Sequence, residues 1–159
     1  MLPPYGGVNL QTLQTLRVKV ADVPVDMSEE DRVLASRFGV LSRPDGTYAA
    51  QAIKFVKYRN GELFSHEDQV NLTKVVVEEV AAVLDGARTL TQQGHPAVLD
   101  LICRAIVQRE QRMLRGEKDW VLKGMIASAL WKRKFNKGSI VAEYQVSLGS
   151  LTVFQDQGR

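Results

Sequence analysis

The sequence predicts a single α+β domain in the order β-α-β-β-α-α-α-β-β, with N- and C-terminal strands forming one antiparallel sheet packed against three central helices. Three observations lead there. Apolar residues alternate with others at 16–23 and again at 140–148 and 151–154, the period of a half-buried strand. The middle of the chain instead repeats its apolar residues every three or four positions, the period of a helix face. Between these regions stands Asn60-Gly61, a pair favoured in tight hairpins because both central turn positions need positive φ.

The elements follow in order. Residues 1–11, rich in Pro and Gly, are expected to be an arm, and residues 12–159 a single domain. In the first strand Leu16, Val18 and Val20 face one way, with Arg17 and Lys19 opposite. Ser28, followed by Glu29, Glu30 and Asp31, resembles a capping box and opens a short helix through Arg37, which Gly39 ends. Pro44-Asp45-Gly46 is a turn. Residues 48–58 then read as the second strand, with Ile53 and Phe55 on one face and Lys54, Val56 and Tyr58 on the other. A return strand through Phe64 completes the hairpin.

Ser65, with Glu67 and Asp68 behind it, caps the first long helix, whose stripe is Leu72, Val76, Val80, Val83, Ala87 and Leu90. Gln92-Gln93-Gly94-His95-Pro96 breaks the chain, and Pro96 suits the first position of a helix burying Val98, Leu99, Ile102, Ala105, Ile106 and Met113. After Gly116, Asp119 is expected to N-cap a third helix running to about Phe135. Gly149-Ser150 marks a tight turn or bulge between the last two strands.

Composition excludes whole classes. The chain has 159 residues, 45% hydrophobic and 25% charged, enough for one domain with a real core. Cys103 is the lone cysteine, so a disulfide scaffold is ruled out. Apolar runs are all broken by charge, and the opening residues lack a basic-then-apolar leader pattern. No membrane span or signal peptide is therefore expected, and a cytoplasmic protein, or part of an intracellularly assembled particle, is the default.

Catalytic signatures are missing. His66 and His95 have no partner ligand at metal spacing, and neither a phosphate-binding glycine loop nor a zinc-protease helix motif occurs. Cys103 lies on the margin of an apolar helix, where a small buried hydrophobe is expected rather than a nucleophile. A nuclease pattern of a turn acid followed by acid-x-lysine fails at Asp45 and Lys54. Ala52 holds the acidic position, and Gln51 falls on the opposite strand face. The adjacent acids Glu29-Glu30 and Glu78-Glu79 should diverge around their helices. No cofactor and no metal are expected. An enzyme is the least favoured class, and would need Arg109, Tyr144, Glu143 or His95 to converge in a pocket.

Charge is more informative by position than in sum. The net charge is +3, but residues 104–137 hold ten basic residues against three acids, a net of +7, and the rest of the chain carries −4. Arg104, Gln108, Arg112 and Arg115, spaced four, four and three apart, form one ridge opposite the apolar stripe. Such a ridge can follow phosphates, although a solvated face or an acidic partner, including the chain's own acidic half, fits equally. Arg109 falls inside the apolar stripe and needs a carboxylate partner, within the fold or across an interface.

The third helix is apolar on two sides. Val121, Leu122, Met125, Ile126 and Ala129 make a core face. Trp120 and Trp131, eleven residues apart, share a second face with Gly124, Ala127 and Ser128 between them and Phe135 beyond. The small residues leave room for another element or a flat ligand between two aromatic posts. Basic residues interleave with aromatics in Trp131-Lys132-Arg133-Lys134-Phe135-Asn136-Lys137, which suits phosphate contact with base stacking and equally suits a helix C-terminus. Tyr48, Lys54 and Tyr58 would add a stacking platform on the second strand.

The functional expectation is a non-enzymatic, self-associating module that contacts nucleic acid, DNA or RNA, or another polyanion through Arg104, Arg112, Arg115, Lys132, Arg133, Lys134 and Lys137. Trp120, Trp131, Phe135 and Arg109 are its expected interface. The alternatives are a structural subunit of a larger assembly, such as a virion, and a small enzyme.

Overall fold

A computed structural model describes residues 10–84 and 96–136. Among these described residues the chain is helical, with no strand or sheet, which overturns the α+β expectation. The α-helices are α1 (Leu10–Lys19), α2 (Glu29–Arg37), α3 (His66–Leu84), α4 (Pro96–Arg109) and α5 (Trp120–Asn136). A 3-10 segment, Ala49–Phe55, and a 3-10 turn, Glu117–Asp119, complete them. The two C-terminal strands expected at 140–148 and 151–154, and the pocket residues Glu143 and Tyr144 of the enzyme reading, lie outside the described residues.

The first predicted strand is α1. Leu13, Leu16 and Val20 are buried, at spacings of three and four, whereas Val18 is 69% exposed. The alternation of Leu16, Val18 and Val20 was real in sequence, but the helical triplet beginning at Leu13 buries more side chain. The second predicted strand is the 3-10 segment. Residues three apart eclipse on such a helix, and Ala49, Ala52 and Phe55 turn one edge to α5. A methyl group on Gly124 of α5 would meet Ala52 Cβ at 2.7 Å, so only glycine allows this approach. The run is short of β-branched residues until Ile53 and Val56, and its small residues are used for close packing instead.

Extended pairing survives at one junction. Lys57 bridges Leu63 and Tyr58 bridges Met113, both antiparallel. The turn differs from the expected one: Gly61 alone takes positive φ, at +90°, while Asn60 does not. Gly61 N–H donates to the Tyr58 carbonyl at 2.9 Å and Tyr58 N–H to the Glu62 carbonyl at 2.8 Å, a three-residue loop closed by a left-handed glycine.

The caps of α2 and α3 match the sequence expectation. Ser28 Oγ accepts from Asp31 N–H at 3.1 Å, and Ser65 Oγ accepts from Asp68 N–H at 3.1 Å. Gly39, at φ +75°, follows α2 while Val40 N–H reaches the Ala35 carbonyl at 2.9 Å. α3 buries Leu72, Val76 and Val80, and α4 buries Val98, Ile102, Ala105 and Ile106. α5 adds Leu122, Ile126 and Leu130, and α1 packs on α4 from the other side. Each such aliphatic side chain contributes about 1.5–3 kcal/mol relative to exposure. A smaller cluster of Met27, Ala35, Val40 and Leu114 seats α2.

α4 stops at Arg109, earlier than the apolar pattern suggested. Met113, expected on its stripe, lies past the helix end and is buried at the bridge to Tyr58. Arg112 and Arg115 are therefore not on the helix that carries Arg104 and Gln108.

Candidate functional site

The basic segment divides by what answers each charge. Arg104 donates from Nη2 to the Val20 carbonyl at 3.0 Å, and from Nε and Nη2 to the Val23 carbonyl at 3.0 and 2.8 Å. Gln108 donates to the Lys19 carbonyl at 2.8 Å. These carbonyls follow or end α1, where a helix leaves its last acceptors without partners and a negative dipole end. The first two members of the predicted ridge thus cap α1 from α4.

Arg109 lies between two carboxylates of α3, with Nη2 on Glu78 at 2.8 Å and Nη1 on Glu79 at 3.0 Å. Lys19 approaches Glu79 at 3.2 Å from the far side. The Glu79 side chain is only 8% exposed, so two cations share the cost of burying it. The hydrogen bond to Glu78, followed by that to Glu79, raises the Arg109 pKa despite desolvation. The adjacent acids do not diverge as their sequence spacing suggested, because one forked guanidinium spans both.

Arg112 joins a polar and aromatic cluster at the head of α3. It contacts Glu110 at 2.8 Å and Asp68 at 3.1 Å, and its guanidinium carbon lies 5.8 Å from the Tyr58 ring centroid and 5.9 Å from that of Phe64. Tyr58 and Phe64 stack at 4.3 Å, and the Tyr58 hydroxyl donates to Asp68. That hydroxyl and then Arg112 hold the Asp68 carboxyl below its ordinary range. Tyr58 is consequently part of this cluster, and the expected strand-face platform of Tyr48, Lys54 and Tyr58 does not form.

Arg115 is buried. It pairs with Asp119 at 2.7 Å and donates to the Pro24 and Val25 carbonyls at 2.9 and 3.2 Å. Burial pulls its pKa down, but the Asp119 carboxylate outweighs that and leaves it raised. Asp119, expected as the N-cap of α5, turns its carboxylate to Arg115 instead. Lys118 and Asp119 both adopt positive φ, +55° and +53°, a conformation that L-residues hold only when the surroundings fix it. Lys123 pairs with Asp100 at 3.1 Å. Cys103 is fully buried, and burial followed by Asp119 pushes its thiol well up, away from nucleophilic use.

The two tryptophans part company. Trp120 donates from Nε1 to the Val40 carbonyl at 2.8 Å and meets Phe55 edge-on at 5.4 Å, so it is a packing residue. Trp131 is 49% exposed, and Lys132 is partly buried beside it. Arg133, Lys134 and Phe135 lie in the last turns of α5, while Lys137 and His95 lie outside the described residues. A groove of about 400 Å³ between α1 and α3 is lined by Thr12, Thr15, Leu16, Lys19, Glu79 and Val83 among others. No group of three or more metal-ligating side chains occurs among the described residues, nor any helix long and apolar enough to cross a membrane.

No family matches the chain, and no curated protein or solved structure is similar to it. Sequence reasoning missed Glu79 and the Tyr58–Asp68 pair. Ser65-x-x-Asp68 was visible as a cap, but nothing local indicated that the carboxylate would reach back across the hairpin.

Proposed function

We propose that this chain is a small binding module that contacts a polyanion, nucleic acid foremost, through the C-terminal turns of α5. The observation that carries it is Trp131, a large aromatic 49% exposed at the head of Lys132-Arg133-Lys134. Arg104, Arg109, Arg112, Arg115 and Lys123 hold carbonyls or carboxylates of the fold, so the proposed footprint does not rely on them. Phosphate contact by such cations is long-ranged, weakly sequence-specific and strongly salt-dependent.

The test is binding of labelled RNA, DNA and heparin at low and physiological salt. The module binds all three at low salt, and joint replacement of Lys132, Arg133 and Lys134 by Gln weakens each by more than about tenfold. Arg112→Gln serves as the control and leaves binding unchanged. Absence of binding at low salt overturns the reading. Self-association belongs to the same proposal: sedimentation that stays monomeric at high concentration removes it and leaves polyanion contact standing.

A further inference from the structure

Helices α1 and α3 both pack on α4 and leave a groove of about 400 Å³ between them. The Lys19–Glu79 ion pair spans it, with Nζ 3.2 Å from Oε1 and 3.3 Å from Oε2. Thr15 and Leu16 continue the lining along α1, and Ala82 and Val83 along α3. These residues precede Lys19 on α1 and follow Glu79 on α3. The two charges therefore stand at one end of the groove, and the apolar wall of Leu16, Ala82 and Val83 lies beyond them. Thr15 is one turn, about 6 Å at the helical rise, from Lys19.

The Glu79 side chain is 8% exposed and that of Lys19 is 44% exposed. Oε2 of Glu79 accepts from both Lys19 and Arg109, whereas Oε1 accepts from Lys19 alone. A carboxylate oxygen has two lone pairs and an ammonium three donors, so one acceptor position on Oε1 and one donor on Nζ are left. In charge the network is complete, because Lys19 and Arg109 answer Glu78 and Glu79 for a net of zero. A ligand with a single charge would upset that balance beside a buried carboxylate. A zwitterion keeps it, with its ammonium on Oε1 and its carboxylate on Nζ. An apolar side chain on such a ligand displaces water from Leu16, Ala82 and Val83. The groove's volume falls within the range of small-molecule sites.

We infer that this groove binds a free amino acid with an apolar side chain, and that Lys19 and Glu79 read its two charges. The site uses none of the α5 cations and stands or falls apart from the polyanion reading. Calorimetric titration of the full chain with L-leucine tests it. Glycine, isocaproate and isopentylamine serve as comparisons, lacking the side chain, the ammonium and the carboxylate in turn. L-leucine binds saturably below about 10 mM, and each comparison compound binds at least about tenfold more weakly. Lys19→Met and Ala82→Leu are the variants, since both positions are exposed and Glu79 keeps Arg109 in each. The first removes the partner of the ligand's carboxylate and the second fills the groove. Each weakens L-leucine by about tenfold or more.

No saturable binding of L-leucine up to about 10 mM overturns the site. Binding that Ala82→Leu or Lys19→Met leaves unchanged places the ligand elsewhere and overturns it likewise. Isocaproate or isopentylamine binding as tightly as L-leucine means that one charge is enough, which overturns recognition of a zwitterion. Glycine binding as tightly as L-leucine overturns the role of the apolar wall.

Discussion

Arg104–Lys123 and the end of α5 are both rich in positive charge and differ in what surrounds it. In the first region Arg104, Arg109, Arg112, Arg115 and Lys123 meet partners fixed by the fold: the Val20 and Val23 carbonyls just past α1, the Glu78–Glu79 pair, Asp68 with Glu110, Asp119, and Asp100. In the second, basic residues follow an exposed tryptophan in the last turns of a helix. The difference teaches that a +7 segment is not one surface. Much of the polarity between basic and acidic parts of the sequence is internal complementarity.

Substitutions that separate the two regions follow in order of size. Arg115→Met leaves Asp119 buried without its partner and frees two loop carbonyls, so a loss of about 3–5 kcal/mol is expected in urea unfolding. A loss below 1 kcal/mol would place Arg115 with the exposed cations instead. Arg104→Met removes charged hydrogen bonds to the Val20 and Val23 carbonyls just past α1 and is expected to cost about 2 kcal/mol by the same measurement.

Asp68 gives a pH-dependent test. Its folded-state pKa is depressed below the ordinary 3.8, so its contribution is complete at neutral pH and is lost as pH falls from the ordinary value through the folded one. Asp68→Asn is therefore less stable than wild type at neutral pH, and the two melting temperatures converge in acid. A constant offset down to low pH would contradict the cluster. The smallest stability effect belongs to the joint Gln replacement of Lys132, Arg133 and Lys134: a change within about 0.5 kcal/mol, with a salt slope shallower by about 2–3. A large destabilisation there would move these residues into the first region.

The caps were the most legible part of the fold. Ser28, Gly39 and Ser65 act within three or four residues of themselves, so their roles are written in adjacent letters. The stripes of α3 and α4 were legible for the same reason, since each long helix repeats its pattern several times. The strand readings failed where few residues had to decide between periods. Leu16, Val18 and Val20 alternate, yet Leu13 three residues earlier sets a helical face. At 49–55 the deciding contact is Gly124, some seventy residues away on α5 and invisible to a local window.

The site was legible only in its chemistry. Trp131 and the basic run stood out, and Arg109 was marked as needing a carboxylate, but Glu78 and Glu79 could not be named. Nor could the packing of Trp120 against Phe55 and the Val40 carbonyl, which depends on how the 3-10 segment crosses α5.

By itself the sequence determined the caps of α2 and α3, the apolar faces of three long helices, the left-handed glycines and where positive charge gathers. Each of these depends on neighbours within a turn or two, where backbone sterics and side-chain period act directly. Only the tertiary structure decided that α1 is a helix, that 49–55 is a close-packed 3-10 segment, and which cations serve the fold. Those outcomes depend on groups brought together from distant positions, where burial selects between two locally acceptable conformations and an opposite charge turns an apparent surface cation into an internal one.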